Sequence, residues 1–246
     1  MKTGYKYKFT AAFCAILLVS LGVLILGQKV NAAPSGGGVT GTVKLDGTPP
    51  HERGIDMSKE PSCAKEHASN PVKVETVVVG PNGGLQNVVV YVTQGLSGNE
   101  GSSTEVQEWD QKGCQYIPHV IALNPNQHFK VVNSDQTSHN IHPQPKNNSE
   151  WNKSQPPGSQ PFDVTWANPE VAINVKCNIH PWMHGYMAVV KGPHAVTDNN
   201  GGFKLEGLAP GNYTLTAWQE EYGTQTQNVT VAAGKPAAAN FTFKAK

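Results

Sequence analysis

Sulfur and charge are both scarce in this chain. Four cysteines, four methionines and 15% charged residues are spread over 246 positions. No basic stripe runs along it to neutralise phosphates, so it lacks a nucleic-acid footprint. Cys-x-x-Cys-His is absent, which excludes attachment of a c-type haem. His-x-His is absent as well. No segment after residue 32 keeps a helical hydrophobic period, which argues against a helical fold.

Long apolar runs are confined to the start. Lys2, Lys6 and Lys8 precede the apolar stretch FTAAFCAILLVSLGVLILG, and Val30-Asn31-Ala32 offers small residues for cleavage. Residues 1–32 read as a secretory signal peptide, with an uncleaved N-terminal anchor as the alternative. Cys14 has no lipobox before it. Cleavage would remove Lys2, Lys6, Lys8 and Lys29, leaving 19 − 4 = 15 basic against 18 acidic residues, a net charge of −3. That balance suits an exported protein, periplasmic or extracellular. Three cysteines then remain: Cys63, Cys114 and Cys177. In an oxidising compartment two of them should pair. A Cys63–Cys114 disulfide is expected, closing a loop of about fifty residues for on the order of 4 kcal/mol. Cys177 is left as a free thiol that needs a purpose.

The remainder reads as all-β. VTGTVKLDGTPP alternates apolar and polar residues into a turn, and VETVVVG and LQNVVVYVTQ flank a hairpin-like PNGG. Residues 95–113 are polar and rich in Gly and Ser, and read as a loop. HVIALNPNQHFKVVNSD gives two strands around Asn124-Pro125-Asn126. Residues 143–161 hold five prolines and cannot sustain regular structure. VAINVKC delivers Cys177 at a strand end, and GYMAVVKG returns. Four segments follow: 1–32 signal peptide, 33–115 an N-terminal β region, 116–191 a ligand-bearing domain, and 192–246 a terminal sandwich.

Chemistry concentrates in VKCNIHPWMHGY, where Cys177, His180 and Met183 recur at every third position. Thiolate, imidazole and weak axial thioether are the donors of a blue copper site, which also needs a second imidazole. SDQTSHNIHP offers His139 and His142. An odd separation points them to opposite faces of a strand, so one faces the site. His139 is preferred, because Asn140 beside it can tie its loop to the Cys177 loop. The expected ligand set is His139, Cys177, His180 and Met183 around one type 1 copper. The alternative reading is a buried cysteine, a loop histidine and a packing methionine. Zinc rarely selects methionine. Trp182 either covers the site or forms an apolar docking patch. His119, His128 and His67 are assigned no role.

SHNIHP followed by VKCNIHPWMHGYMAV resembles the small blue copper proteins of the amicyanin and plastocyanin type, cupredoxins with a Greek-key β-sandwich. The resemblance implies the same four ligands over residues 116–190. VTDNNGGFKLEGLAPGNYTLTAW is similar to the carboxypeptidase regulatory-like domains, transthyretin-like sandwiches grouped with carbohydrate-binding-like folds. GTVKLDGTPP and NVVVYVTQ resemble the first strands of that second family, in which case the copper module is inserted in the sandwich; those strands could equally complete the copper barrel, with the sandwich placed after it.

The expected function is one-electron transfer with an exported or membrane redox protein, not enzymatic catalysis. Copper oxidases and nitrite reductases need histidine clusters for a second metal, and the sequence shows no His-x-His. Two alternatives stand beside it. One is a glycan- or cell-surface-binding module with a structural or vestigial copper. The other is a copper carrier, although only Met57, Met183 and Met187 follow the signal segment.

Overall fold

The valine runs explain the layers of this molecule. A strand buried on one face alternates apolar and polar residues, whereas one buried on both faces is apolar throughout. NVVVYV, VIAL and YMAVV are of the second kind, and each lies inside a stack of sheets. The computed structural model describes residues 37–51, 53–98 and 101–246. The expected signal segment, residues 1–32, lies outside them.

The first elements are β1 (Gly37–Asp46), a short helix α1 (Pro61–Glu66), β2 (Val89–Gln94), β3 (Gln107–Lys112), β4 (Gln115–Ile117) and β5 (Val120–Leu123). Next come β6 (Phe129–Asn133), β7 (His139–Gln144), β8 (Lys153–Gln155), β9 (Phe162–Val164), β10 (Glu170–Lys176) and β11 (His184–Val189). The chain closes with β12 (His194–Val196), β13 (Gly202–Leu208), β14 (Gly211–Gln219), β15 (Gly223–Val231), β16 (Pro236–Ala238) and β17 (Phe241–Lys244).

These strands form four sheets and two sandwiches. In one sandwich, β1 pairs with β13, β16 and β17, and faces a sheet ordered β12-β2-β14-β15. Its core joins Val39, Val43 and Val90 to Leu205, Leu215 and Phe243. The early strands β1 and β2 are thus hydrogen-bonded to strands from the end of the chain. In the other sandwich, β5-β11-β10-β7-β8 faces β4-β3-β6-β9. Its core runs from Trp109, Tyr116 and Phe129 to Cys177, Met183 and Met187. A third cluster, including Val89, Val120, Ala188 and Trp218, lies between the sandwiches. Alternate residues of β2, β5 and β11 therefore point into different cores. Val90 faces the first core and Val89 the shared layer, while Met187 faces the second core and Ala188 the shared layer.

Three local readings change. Within the stretch expected to be a loop, Gln107–Lys112 forms β3, parallel to β6, with Trp109 and Gln111 turned inward. Gln111 is buried yet bonded to Gln155 and the Val132 carbonyl, so a polar sequence sits in a sheet because its amides find partners. The helix α1 was not expected from periodicity; it is one short turn whose buried residue is Cys63. VETVVV makes one isolated bridge, Val79 to Leu85, rather than a strand, although Gly80 N–H does donate to Gly84 O across the expected PNGG turn. Cys63 and Cys114 are disulfide-bonded, with Cα atoms 5.9 Å apart, and Cys177 is free and buried. Among the described residues no helix is long and apolar enough to cross a membrane.

Candidate metal centre

Two segments meet at one end of the second sandwich. The first is the turn after β6, where Asp135 N–H donates to Asn133 Oδ1 and the Asn133 amide donates to Thr137 O. This closed turn launches β7 with His139 as its first residue. The second is the loop between β10 and β11. Cys177 N–H donates to Met183 O and Met183 N–H donates to His180 O, both at 3.0 Å. The loop is folded back on itself, so its three sequence-predicted donors share a small volume.

Asn140 locks the segments together. Its Oδ1 accepts Asn178 N–H at 2.7 Å and faces Cys177 Sγ at 3.3 Å. Its own backbone carbonyl accepts the Tyr116 hydroxyl at 2.6 Å. The loop-tying role read for this asparagine is the arrangement found.

The donor atoms of His139, Cys177 and His180 lie within 4.8 Å of one another, and all three residues are buried. His139 Nδ1 is 2.9 Å from His180 Nδ1, and Cys177 Sγ is 3.7 Å from His180 Nδ1. Met183 is 1% exposed and belongs to the same buried cluster as Cys177. Both imidazoles thus present the same kind of nitrogen to a common point beside the sulfur. The far nitrogen of His139 is held by Asp135 Oδ2 at 2.7 Å, the carboxylate–imidazole pairing that orients metal-binding histidines. The far nitrogen of His180 is buried without a hydrogen bond, 3.6 Å from Glu60 Oε2.

Electrostatics favour positive charge at this point. Burial alone would push the His139 pKa down, but Asp135 and Cys177 overcome it and raise the pKa to about 9. Burial would raise the Cys177 thiol, yet the His139 contact and nearby backbone groups bring it below its ordinary value. Burial and the charge on His139 lower His180. Two imidazole nitrogens facing each other beside a thiol whose pKa is lowered form a set that a soft or borderline cation would satisfy. The residues present fit copper.

Each predicted residue can now be placed. His139, Cys177 and His180 converge, and Met183 lies in the same buried cluster as Cys177. His142 does not join them; it faces outward, bonded to Asn178 Oδ1 and Glu150 Oε1. Trp182 covers the site: its ring centroid is 5.1 Å from that of His180, and its indole N–H donates to Cys114 O. The disulfide, Met57 and Ile55 pack beneath it. Asp135 was missed, although an acid four residues before a candidate ligand histidine was a usable signal. Asp135 also accepts the N–H groups of Gly113 and Cys114 at 2.7 and 2.8 Å, which links the disulfide to the site.

No curated protein matches the chain. Among solved structures it is similar to a Cu-containing nitrite reductase from Thermus scotoductus SA-01, with 15% identity, 40% of this chain and 25% of that chain covered, and a TM-score of 0.33. The chain thus spans a quarter of the reductase's length. It is similar to a purple cupredoxin from Nitrosopumilus maritimus, with 19% identity, 34% and 99% coverage, and a TM-score of 0.29. An oxidized amicyanin variant shows 16% identity, 41% and 98% coverage, and a TM-score of 0.31. The family model of the carboxypeptidase regulatory-like domain matches residues 189–244. The chain is all-β, and its residues 189–244 match the carboxypeptidase regulatory-like domain.

Proposed function

We propose that this chain is an exported mononuclear blue copper protein that carries single electrons between redox partners. One observation carries the reading: His139 Nδ1, His180 Nδ1 and Cys177 Sγ converge in a buried pocket that also holds Met183. A type 1 copper held there supplies a one-electron couple. His139, Cys177 and His180 would hold it, with the Met183 thioether as a further, weaker donor.

The rest of the work belongs to the protein. Asp135 fixes the His139 ring, Asn140 fixes the sulfur, and the loop hydrogen bonds fix Met183 against Cys177. A set held this firmly rearranges little when charge changes, which lowers the barrier to transfer. Trp182 and the disulfide region exclude water from one side. Ile179, next to His180, is 48% exposed, and an incoming redox protein would meet the chain there. The disulfide is consistent with an oxidising, extracytoplasmic location.

The test is a redox titration of the copper-loaded protein. Reversible one-electron behaviour is expected, and Met183→Leu should raise the potential, because losing a weak axial donor destabilises Cu(II) relative to Cu(I). Irreversible reduction, or a potential indifferent to Met183, would count against the reading.

A further inference from the structure

A second group of metal-type donors lies outside the copper pocket. His119, His184 and Glu220 place their donor atoms within 4.8 Å of one another. His119 Nε2 is 2.6 Å from Glu220 Oε1, and His184 Nε2 is 4.0 Å from Glu220 Oε2. The side chains of His119 and Glu220 are 3% and 5% exposed, so a carboxylate is buried against imidazoles rather than solvated. A buried carboxylate persists only with partners that answer its charge.

The His184 ring is held from behind by a hydrogen bond, and the His119 ring has a carboxylate behind it at a longer distance. His184 Nδ1 lies 3.1 Å from Trp182 O, and His119 Nδ1 lies 3.8 Å from Glu75 Oε2. An acceptor behind the far nitrogen is what presents the near nitrogen of a histidine to a metal. The backbone is held as firmly. Tyr186 N–H donates to His119 O at 3.0 Å, and a Cβ at Gly185 would stand 2.6 Å from that same oxygen. Glycine at 185 is therefore what lets β11 close on His119 and bring His184 to it. A cleft with room for about one water adjoins the group, bordered by Glu75, His119, His184 and Met183. Lys73 also borders it, beside Glu75.

We propose that His119, His184 and Glu220 form a second site, for a borderline divalent cation of the zinc class. Two imidazoles and a carboxylate with one open position are a ligand set that suits Zn2+. His119 and His184 belong to the sandwich that carries the copper pocket, and Glu220 to the turn between β14 and β15 of the other. The ion would staple one sandwich to the other, one residue from Met183. This proposal does not depend on copper occupying the first pocket.

The experiment uses the whole exported chain carrying Cys177→Ser, which removes the thiolate of the first pocket. Titration with Zn2+ alone should show about one ion per chain and a rise in Tm. Zinc-edge anomalous diffraction from crystals of that variant should place the ion between His119, His184 and Glu220. Adding Glu220→Gln, close to isosteric, should weaken zinc binding at least 100-fold while circular dichroism stays unchanged. If Glu220→Gln does not fold, the anomalous peak in the Cys177→Ser protein decides. No zinc bound, a peak only at His139 and His180, or unchanged affinity after Glu220→Gln would make the group a buried ion-pair joint and overturn the proposal.

Discussion

The two sandwiches of this molecule bury different materials. Of the thirteen buried polar residues among those described, only Thr197, Thr216 and Gln219 lie in the sandwich completed by the chain's end. The other ten, from Gln111 to His180, belong to the half that carries the donor cluster. The first sandwich is held by apolar area, at roughly 1.5–3 kcal/mol for each large side chain buried. The second also holds amides, imidazoles and a carboxylate, each of which would cost about 1–3 kcal/mol if left unpaired. Most of its polar groups are paired into a network, Asn133 to Gln155 and Asp135 to His139 among them, while Gln111 Oε1, Trp151 Nε1 and His180 Nε2 are buried without a hydrogen bond. One half is built for stability and the other for holding a few side chains in fixed positions.

Cutting the chain at residue 191 should give the largest effect. It removes β12 to β17, leaving β1 without β13, β16 and β17, and β2 without β12 and β14. The remainder would present apolar edges and aggregate. Sedimentation after expression checks this; a soluble, copper-binding fragment would mean that the halves fold independently. Next in size, Leu205→Ala in the first core should cost about 2–5 kcal/mol, as large-to-small core changes do. Chemical denaturation should show that loss while the copper spectrum of the folded protein stays unchanged. A spectral change would mean that the two cores are coupled.

How much of this could be read in advance differs between the halves. Cys177, His180 and Met183 were legible because one short loop carries them and their spacing is diagnostic. The place of His139 beside Cys177 and His180 was legible once a second imidazole was required: strand parity admitted one of His139 and His142, and Asn140 decided between them. The valine-rich strands were legible as strands, but not which sandwich each would join, since a run buried on both faces carries no directional pattern. β3 was hidden because its inward residues include Gln111, whose partner Gln155 is 44 positions away. The His119–Glu220 pair spans 101 positions and two sandwiches, and no local pattern announces it.

Asp135→Asn should have a smaller and more selective effect. The amide keeps the size of the carboxylate but loses the charge that orients His139, and copper affinity should fall about 10–100-fold. Competition against a copper chelator measures this. Unfolding should change less than for Leu205→Ala, and affinity equal to the parent protein would show that Asp135 serves only the Gly113–Cys114 turn.

The most direct test of the copper reading is the visible absorption of the Cu(II)-loaded chain. An intense charge-transfer band from the Cys177 thiolate is expected, because this donor set makes a short covalent copper–sulfur bond. Cys177→Ser should abolish the band, His139→Ala should weaken it, and His142→Ala should leave it largely unchanged. Copper bound without such a band, or a band that survives His139→Ala and is lost with His142→Ala, would contradict the account.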